Sequence, residues 1–384
     1  MDLDAFFASC EQLEHPEYRG LPVVVGAQPG HRGVVAAASY EARRFGIHSA
    51  MPISEAFRRC PDAKFLRPDM EKYRRQSRRV FQVLETLAPF VEAASIDEAY
   101  MDVSGLEKLL GTPAAIGNEI KRRILDVTGL TASVGIGPNR LIAKLGSEHR
   151  KPDGLTVVFP EQVLDFLAPM PVANLRGLGR QTQKIFSHLG ISTVKQLRAF
   201  PLPLLEQQLG KKAAASFHRQ ALGIASDQIL PGQCRKSISK ETTFETDIRD
   251  NTRLHDALRG LAADVARTAR REGLSGAVVT LKIRFAGFET CTRQHTRTTP
   301  TCDEREMLKT AWQLFLDGKL PDKPVRLIGI GLSGWEEHQP AQADLFDQPE
   351  QQQDNKRLLQ TIDAVTEKFG KHLLQVGVSR KPGK

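Results

Sequence analysis

Residues 92–103 read EAASIDEAYMDV, and this stretch decides how the chain is interpreted. Two short extended runs flank a polar turn at residues 95–97, which is the pattern of a β-hairpin. Asp97 and Glu98 lie at this turn, and the chain opens with Asp2 and Asp4. Alternate residues of a strand share a face, so a strand end beside the hairpin can gather carboxylate oxygens, the ligands that Mg²⁺ prefers. The alternative is that Asp4 caps a helix and that the two hairpin acids are ordinary turn residues.

The elements around the hairpin alternate between helix and strand. Hydrophobic spacing predicts helices over 4–14, 39–45, 54–60, 73–91, 114–126 and from Asn139, and strands over 21–26, 33–37 and 131–136. This order predicts a compact mixed α/β domain. Only short helices follow over 160–223, and residues 226–239, which contain Pro231 and Gly232, suit a linker.

A second domain follows the linker. Strands over 236–245, 277–286, 289–298 and 325–333 and helices over 253–272 and 303–316 predict a split β-α-β-β-α-β unit. In its second strand, apolar and polar side chains alternate, so one face is apolar and the other carries Lys282 and Arg284. Residues 339–354 are rich in Gln and predict disorder, and a last helix is predicted over 355–369.

The composition indicates a globular protein with an anionic partner. The 384 residues include 54 Lys and Arg against 45 Asp and Glu, a net charge of +9. The excess is +5 in residues 1–234 and +5 again in 235–335, which suits nucleic acid. No apolar run is long enough for a membrane helix, and the first residues lack the basic-then-apolar pattern of a signal peptide. Five scattered cysteines predict reduced thiols, so we expect a cytoplasmic protein and no membrane association.

Five motifs in a fixed order resemble those of the Y-family DNA polymerases. They are DLDAFFAS at 2–9, SYEAR at 39–43, SIDEAY at 95–100, SVGIG at 133–137 and KPDG at 151–154. The order and spacing of all five match the family, and the likeness covers about residues 1–335. Within the family, the chain is most similar to the DinB branch.

The resemblance implies an α+β multidomain fold, the right-hand polymerase architecture. The expected bodies are a palm (1–10 and 70–158), small fingers (11–69), a helical thumb with a helix-hairpin-helix (159–226), a linker (227–234), a β-α-β-β-α-β little finger (235–335) and a tail (336–384). The implied activity is template-directed translesion synthesis of low fidelity without proofreading. The alternatives are a non-catalytic, clamp-bound DNA-binding adaptor of the same fold and another palm-type enzyme, such as a nucleotide cyclase.

The resemblance also assigns roles to the acids of the first motif and of the hairpin. Asp2, Asp97 and Glu98 match the catalytic carboxylates that bind two Mg²⁺ ions, and Leu3 matches the residue whose backbone carbonyl joins them. Phe7 matches the steric gate, the aromatic residue that excludes a ribose 2′-hydroxyl. Without the resemblance, Phe7 could equally be a core aromatic residue, which is how we interpret Phe6.

Three further residues match the positions that hold the incoming deoxynucleoside triphosphate: Tyr40, Arg43 and Lys151. Cationic donors fixed beside phosphate oxygens bind more strongly as charge develops on those oxygens. Some relatives add a Thr or Ser hydroxyl near this motif. Ala37 stands at that position here, so we expect that hydrogen bond to be missing or replaced.

Two surfaces are expected to bind primer-template DNA. Residues 175–179 (LRGLG) resemble a helix-hairpin-helix turn, in which Gly177 and Gly179 let backbone N–H groups reach a phosphate. The alternative is a glycine turn between packed helices. Lys282 and Arg284 on the basic strand face would bind the DNA backbone without sequence preference.

The tail contains a candidate docking peptide, QADLF, at residues 342–346. It fits the peptide that binds the bacterial β sliding clamp, with Gln342, Leu345 and Phe346 as its contacts. Apolar anchors on a polar tether dominate peptide docking. We otherwise expect a monomer.

One departure from the family concerns the first residues. Members carry a short hydrophobic strand before the first acid, whereas Met1 directly precedes Asp2 here. Without that strand we expect a frayed terminus around Asp2 and a native start several residues upstream or a clipped chain.

Overall fold

The computed structural model describes the backbone of residues 1–230, 232, 235–335 and 349–370, and the side chains of these residues apart from 349–357 and 360. The chain divides into two compact units, Met1–Gln233 and Cys234–Lys384. Among the described residues, no helix combines the length and the apolar composition that a membrane span requires.

The first unit alternates strands and helices, as predicted. Its strands are β1 (Asp2–Leu3), β2 (Val23–Gly26), β3 (Val35–Ala38), β4 (Lys64–Leu66), β5 (Phe90–Ala93), β6 (Ala99–Asp102), β7 (Ala132–Ile136) and β8 (Leu155–Val157). Its helices are α1 (Phe6–Glu14), α2 (Tyr40–Arg43), α3 (Ile53–Arg59), α4 (Met70–Leu87), α5 (Glu107–Leu110), α6 (Pro113–Thr128), α7 (Arg140–His149), α8 (Val163–Leu167), α9 (Arg180–His188), α10 (Val194–Ala199), α11 (Leu202–Leu209) and α12 (Lys211–Ala221). Short 3₁₀ segments lie at Pro16–Tyr18, Pro160–Gln162 and Val172–Asn174.

The sheet that carries the acids has the order β1-β7-β8, and the predicted hairpin β5-β6 adjoins it. Strand β1 pairs with β7, with Asp2 opposite Ser133, and a further bridge joins Asp2 to Glu98 of the hairpin. Helix α7 packs closely on β7, because a Cβ at Gly135 would lie only 2.1 Å from the carbonyl oxygen of Ala143. Glycine at this position therefore lets α7 bring its side chains near the acids.

Three separate cores support the first unit. Helices α4 and α6 bury Val80, Leu84, Ile120 and Ile124 beneath the acid-bearing sheet. A small sheet of order β3-β2-β4 packs with α3 over its own core. The helices after Pro160 surround a third core, in which the rings of Phe186 and Phe217 meet edge-on at 5.6 Å.

The second unit is the predicted β-α-β-β-α-β domain followed by one more helix. Its elements are β9 (Ser237–Ile248), α13 (Asn251–Arg271), β10 (Gly276–Phe285), β11 (Thr290–Thr301), α14 (Glu304–Leu316), β12 (Val325–Trp335) and α15 (Pro349–Phe369). The sheet order is β11-β10-β12-β9, with every neighbouring pair antiparallel. Helices α13 and α14 cover one face, where the apolar side chains of β10 are buried.

Three of the predicted boundaries were wrong for a reason that the structure shows. Helix α1 begins at Phe6, and Asp4 does not cap it: the N-cap residue is Ala5, which has a left-handed backbone and makes no side-chain cap. Helix α4 ends at Leu87, so Val91 lies in β5 instead. The reason is that Ala88 precedes a proline and takes an extended conformation. Helix α15 begins at Pro349, six positions before the predicted start, because proline suits the first turn of a helix.

Candidate active site

The acids at residues 2 and 98 meet because β1 is paired on both sides. The Leu3 amide donates to the Asp97 carbonyl at 2.9 Å, and the Met1 ammonium donates to the Ala99 carbonyl at 2.8 Å. With β7 on its other side, the two-residue strand is enclosed in the sheet. The frayed terminus that the sequence suggested is therefore wrong, because β1 is held by β7 and by the hairpin. The native start upstream of Met1, or a clipped chain, stays a prediction.

Lys144 of α7 joins the two acids directly. Its Nζ lies 2.6 Å from Asp2 Oδ2 and 2.9 Å from Glu98 Oε2, and Lys151 donates to Asp2 Oδ1. Burial would raise the pKa of Asp2, but Lys151 and Lys144 outweigh it and hold the pKa below its usual 3.8. Burial would lower the pKa of Lys144, and the two acids raise it above its usual 10.5. Asp2 is therefore ionised, and it shares the Lys144 ammonium with Glu98.

The donor set fits a divalent metal ion. Glu98 Oε1 is buried and has no hydrogen-bond partner among the described residues, although its other oxygen accepts from Lys144. The Leu3 carbonyl accepts from Lys151 at 3.5 Å, so it faces the same ammonium that donates to Asp2. An orphaned carboxylate oxygen beside a second carboxylate and a carbonyl is a hard-oxygen environment that suits Mg²⁺.

The third predicted acid is not gathered with the other two. Asp97 accepts at 2.5 Å from Ser95 within its own turn. Among the described residues, a different cluster has all its possible metal-ligand atoms within 4.8 Å of one another, namely Glu11, Glu14 and His15. That group already has a cation, because Lys72 lies 2.8 Å from Glu11 and 2.5 Å from Glu14.

Asp4 has a role that the sequence reasoning missed. It is 2% exposed, and its carboxylate accepts from Ser133 Oγ at 2.8 Å, from the Asp153 amide at 2.8 Å and from Tyr40 at 3.4 Å. It therefore connects β7, the KPDG loop and α2. The signal available in the sequence was the position of Asp4, two residues after Asp2, in the same motif as the metal ligand.

The three predicted phosphate-binding side chains border this network. Tyr40 opens α2, and its pKa is raised by burial and by Asp4, so its hydroxyl remains a neutral donor. The Arg43 guanidinium stacks over the Tyr40 ring at 4.6 Å and donates to the Ala38 carbonyl. Lys151, by contrast, contacts Asp2. Ala37 lies in the neighbouring strand β3 and offers no hydroxyl, as expected.

The two aromatic residues of the first motif differ in exposure. Phe6 is 3% exposed and belongs to the core, as predicted. Phe7 is partly exposed, and its ring stacks on that of Tyr73 at 4.1 Å with an interplanar angle of 11°. Sequence reasoning identified Phe7 but missed Tyr73, which looked like one more residue at the start of α4.

Comparisons with known proteins found matches over most of the chain. A model of the impB/mucB/samB family matches residues 1–148, a model of its C-terminal domain matches 235–345, and a model of the DNA polymerase-iota thumb domain matches 173–225. The chain is 43% identical to the DNA polymerase IV of Halorhodospira halophila, over 90% of this chain and 97% of the relative. It is 39% identical to the DNA polymerase IV of Dehalococcoides mccartyi (strain CBDB1), over 98% and 96%.

Solved structures give the same result. A Y-family DNA polymerase chimera of Dbh and Dpo4 matches with a TM-score of 0.74 and 28% identity, over 87% of this chain and 97% of that one. DinB from Sulfolobus solfataricus matches with a TM-score of 0.60 and 27% identity over the same shares. The chain belongs to the Y family of DNA polymerases. Its fold therefore has the palm, fingers, thumb and little finger of that family.

The thumb of this Y-family polymerase presents the predicted glycine turn. Gly177 has φ +80 and Gly179 is the N-cap residue of α9, with no side chain capping the helix. Nothing lies within 4 Å of a Cβ at either position, so the turn is open. Helix α9 thus begins with backbone N–H groups that can donate hydrogen bonds to an anion.

The little finger presents the predicted basic face. Lys282 and Arg284 lie on the side of β10 away from the helices and are partly exposed. Lys282 pairs with Glu241 of β9 at 2.6 Å, and Arg284 donates to Thr290 at 2.8 Å. The predicted clamp peptide, with Gln342, Leu345 and Phe346, lies outside the described residues.

The residues that follow the thumb are held on the palm. Arg140 lies 2.6 Å from Glu92, stacks over the Tyr100 ring at 4.5 Å and donates to the Gln228 carbonyl. The other Glu92 oxygen accepts from the Leu230 amide at 2.9 Å. We call these contacts between Glu92, Arg140 and residues 226–230 the linker strap. Sequence reasoning placed residues 226–230 in or beside a linker and did not find these contacts.

Proposed function

We propose that this chain adds deoxynucleotides to a primer 3′-hydroxyl at the site formed by Asp2, Asp97 and Glu98. Membership of the Y family makes it a DNA-directed DNA polymerase of the translesion class. The observation that carries the assignment of the site is the pair Asp2 and Glu98, which share Lys144 while one Glu98 oxygen lacks a partner. A metal-dependent nucleotidyl transfer needs carboxylate oxygens that are available to bind the metal ion.

The proposed cofactor is Mg²⁺, with two ions per site. Asp2, Asp97, Glu98 and the Leu3 carbonyl would hold them. Bound divalent ions stabilise negative charge on the attacking and leaving oxygens of an in-line phosphoryl transfer. In the proposal, the Asp97 side chain leaves Ser95 when it becomes a ligand. Lys144 supplies a fixed positive charge at the same acids.

The incoming triphosphate would contact Tyr40, Arg43 and Lys151. Arg43 is held by its stack on Tyr40, and Tyr40 by its bond to Asp4, so two donors are oriented before substrate arrives. Fixed donors cost little reorganisation as charge develops on the phosphates. Phe7, stacked on Tyr73 and partly exposed, would be the steric gate.

Primer-template DNA would contact the thumb and the little finger. Gly177 and Gly179 would present the N–H groups of α9 to a phosphate, and Lys282 and Arg284 would bind the backbone through charge alone. The proposed bodies are those of the sequence: palm 1–10 and 70–158, fingers 11–69, thumb 159–226, linker 227–234 and little finger 235–335. A core formed only by residues between 238 and 335 supports the last of these. We infer low fidelity and no proofreading from the family.

The proposed protein partner is the β sliding clamp, contacted through Gln342, Leu345 and Phe346. A pull-down with purified clamp tests this, with Leu345→Ala and Phe346→Ala combined expected to remove the binding. Equal capture of both forms would contradict it. We further propose a monomer that acts on cytoplasmic DNA.

Primer extension with Mg²⁺ on undamaged and lesion-bearing templates tests the proposed chemistry. Asp97→Ala is expected to reduce nucleotide addition at least about 100-fold while leaving DNA binding intact. Glu148→Gln is the matched control, since Glu148 also pairs with Lys144 but is not a proposed ligand. Equal extension by Asp97→Ala would remove the assignment of that residue. DNA binding without any extension by the unaltered chain would instead favour the non-catalytic adaptor.

A further inference from the structure

The ring of Tyr73 lies directly against the ring of Phe7. The two rings are nearly parallel with centroids 4.1 Å apart, and Tyr73 is fully buried. The ring of Phe6 also lies against Tyr73, at 6.2 Å. A side chain stacked on an immobile ring cannot retreat, so the position of Phe7 depends on what fixes Tyr73.

A buried ion pair fixes Tyr73. Its hydroxyl donates to Glu11 Oε1 at 2.6 Å, and Lys72 donates to the other Glu11 oxygen at 2.8 Å. Glu11 is 5% exposed, whereas Glu14, which also pairs with Lys72, lies at the surface. The bonds join the first turn of α4 to α1, and Tyr73 and Lys72 are neighbours in that turn.

Two of the contacts to Tyr73, those of Phe7 and Glu11, come from one face of α1. Phe7 and Glu11 are four residues apart, so their side chains are neighbours on the helix surface. One stacks on the ring and the other accepts from the hydroxyl. Burying a carboxylate costs free energy unless its oxygens are paired, and both oxygens of Glu11 are paired here. An apolar residue would fill the space without that cost but would leave the Tyr73 hydroxyl unpaired.

We propose that Glu11, supported by Lys72, is a positioning residue for sugar selection: it fixes Tyr73, and Tyr73 fixes Phe7. This inference rests on the proposed role of Phe7 as the steric gate. When the gate ring can shift, the space beside the 2′-carbon of an incoming nucleotide widens, and a ribose hydroxyl is accommodated. Glu11 touches neither the nucleotide nor the primer in this account and acts only through the two rings.

The test measures the ratio of ribonucleotide to deoxynucleotide insertion, as kcat/KM, in single-nucleotide primer extension. Tyr73→Phe keeps the stacked ring but removes the donor, and it is expected to raise the ratio about fivefold. Glu11→Leu removes the acceptor and is expected to act in the same direction. Glu11→Gln keeps an acceptor oxygen and is expected to restore the ratio to within about twofold of the unaltered protein.

Tyr18→Phe is the matched control, because the Tyr18 ring contacts His15 at 5.1 Å and takes no part in the hydrogen bonds of Glu11 and Tyr73. Thermal unfolding of every variant shows whether it is folded. A folded Tyr73→Phe with an unchanged ratio overturns the inference, even if Glu11→Leu does not fold.

Phe7→Ala separates this inference from the proposed gate. If Phe7→Ala admits ribonucleotides and Tyr73→Phe does not, the gate stands and the role of Glu11 is rejected. If Phe7→Ala leaves sugar selection unchanged, the gate itself is rejected and the inference with it. A raised ratio in Phe7→Ala, Tyr73→Phe and Glu11→Leu, restored in Glu11→Gln, supports both.

Discussion

Lys144 places its ammonium nitrogen 2.6 Å from a carboxylate oxygen of Asp2, although 142 positions separate the two residues. The same nitrogen lies 2.9 Å from Glu98. Strand β1, the hairpin β5-β6 and helix α7, which are far apart in the chain, thus meet at one ammonium group. In the metal-free protein Lys144 balances part of the negative charge that the proposed metal ions would otherwise balance.

Replacing Lys144 by Met should destabilise the protein in the absence of metal, because Asp2 and Glu98 lose a shared partner. We expect a loss of about 2 kcal/mol in the free energy of unfolding. Added Mg²⁺ should then stabilise Lys144→Met more than the unaltered protein, since binding to the folded state shifts unfolding. Thermal unfolding with and without Mg²⁺ measures both effects. Lys121→Met, which breaks a pair with Asp153, is the control, and equal Mg²⁺-induced shifts in all three proteins would contradict the prediction.

Replacing Arg43 by Gln should weaken nucleotide binding. Its guanidinium is held over Tyr40, and a charge-assisted hydrogen bond to phosphate contributes enough to raise the KM for deoxynucleotides about tenfold to hundredfold. Steady-state insertion kinetics measure this change. Arg44→Gln is a matched control because Arg44 is the next residue and is also exposed. An equal KM in the two variants would reject the role of Arg43.

Replacing Lys282 and Arg284 by Gln should make DNA binding less sensitive to salt. Each phosphate contact removed lowers the slope of log K against log salt by about 1, so the double variant should lose about 2. Fluorescence anisotropy across a salt series measures the slope. Lys309→Gln changes an exposed lysine of α14, on the helix side of the sheet, and should leave the slope unchanged. An unchanged slope in the double variant would remove the proposed contact surface.

Breaking the linker strap should release the Leu230 amide. Glu92→Gln and Arg140→Gln each disrupt a partly buried charge-assisted pair, and we expect a loss of about 2 kcal/mol in the free energy of local opening. Hydrogen exchange at Leu230 should accelerate in both variants. Arg122→Gln breaks exposed pairs on α6 and should leave exchange at Leu230 unchanged. Native-like protection of Leu230 in Arg140→Gln would show that the strap does not hold the linker.

Cys10 should resist alkylation in the folded protein. It is 2% exposed, and burial, reinforced by Glu11, raises the pKa of its thiol from 9.0 to about 12. The neutral thiol therefore contributes fully to the free energy of unfolding below about pH 9. This contribution is lost as the pH rises towards 12. At about pH 8, iodoacetamide should modify the partly exposed Cys291 and Cys302 but not Cys10. Peptide mass spectrometry measures the three rates, and equal labelling of Cys10 and Cys291 would contradict the prediction.

Local patterns in the sequence predicted most elements of the fold. The EAASIDEAYMDV stretch predicted the hairpin, and the alternation in β10 predicted a buried and a basic face. Both follow from residues that are near neighbours in the chain, because strand periodicity and turn chemistry are local properties. The errors were local as well: Asp4 looked like a helix cap, and the proline after Ala88 ends α4 earlier than its apolar spacing indicated.

The sequence by itself determined the order of the elements, the bodies they form and the family, because periodicity, turn residues and five spaced motifs are all readable along the chain. Only the tertiary structure decided which side chains meet. It placed Lys144 between Asp2 and Glu98, Asp4 among three distant partners and Glu11 behind Tyr73. These contacts depend on how the strands are ordered and how closely α7 and α4 pack, and no local pattern encodes the distance between residues that are far apart in the chain.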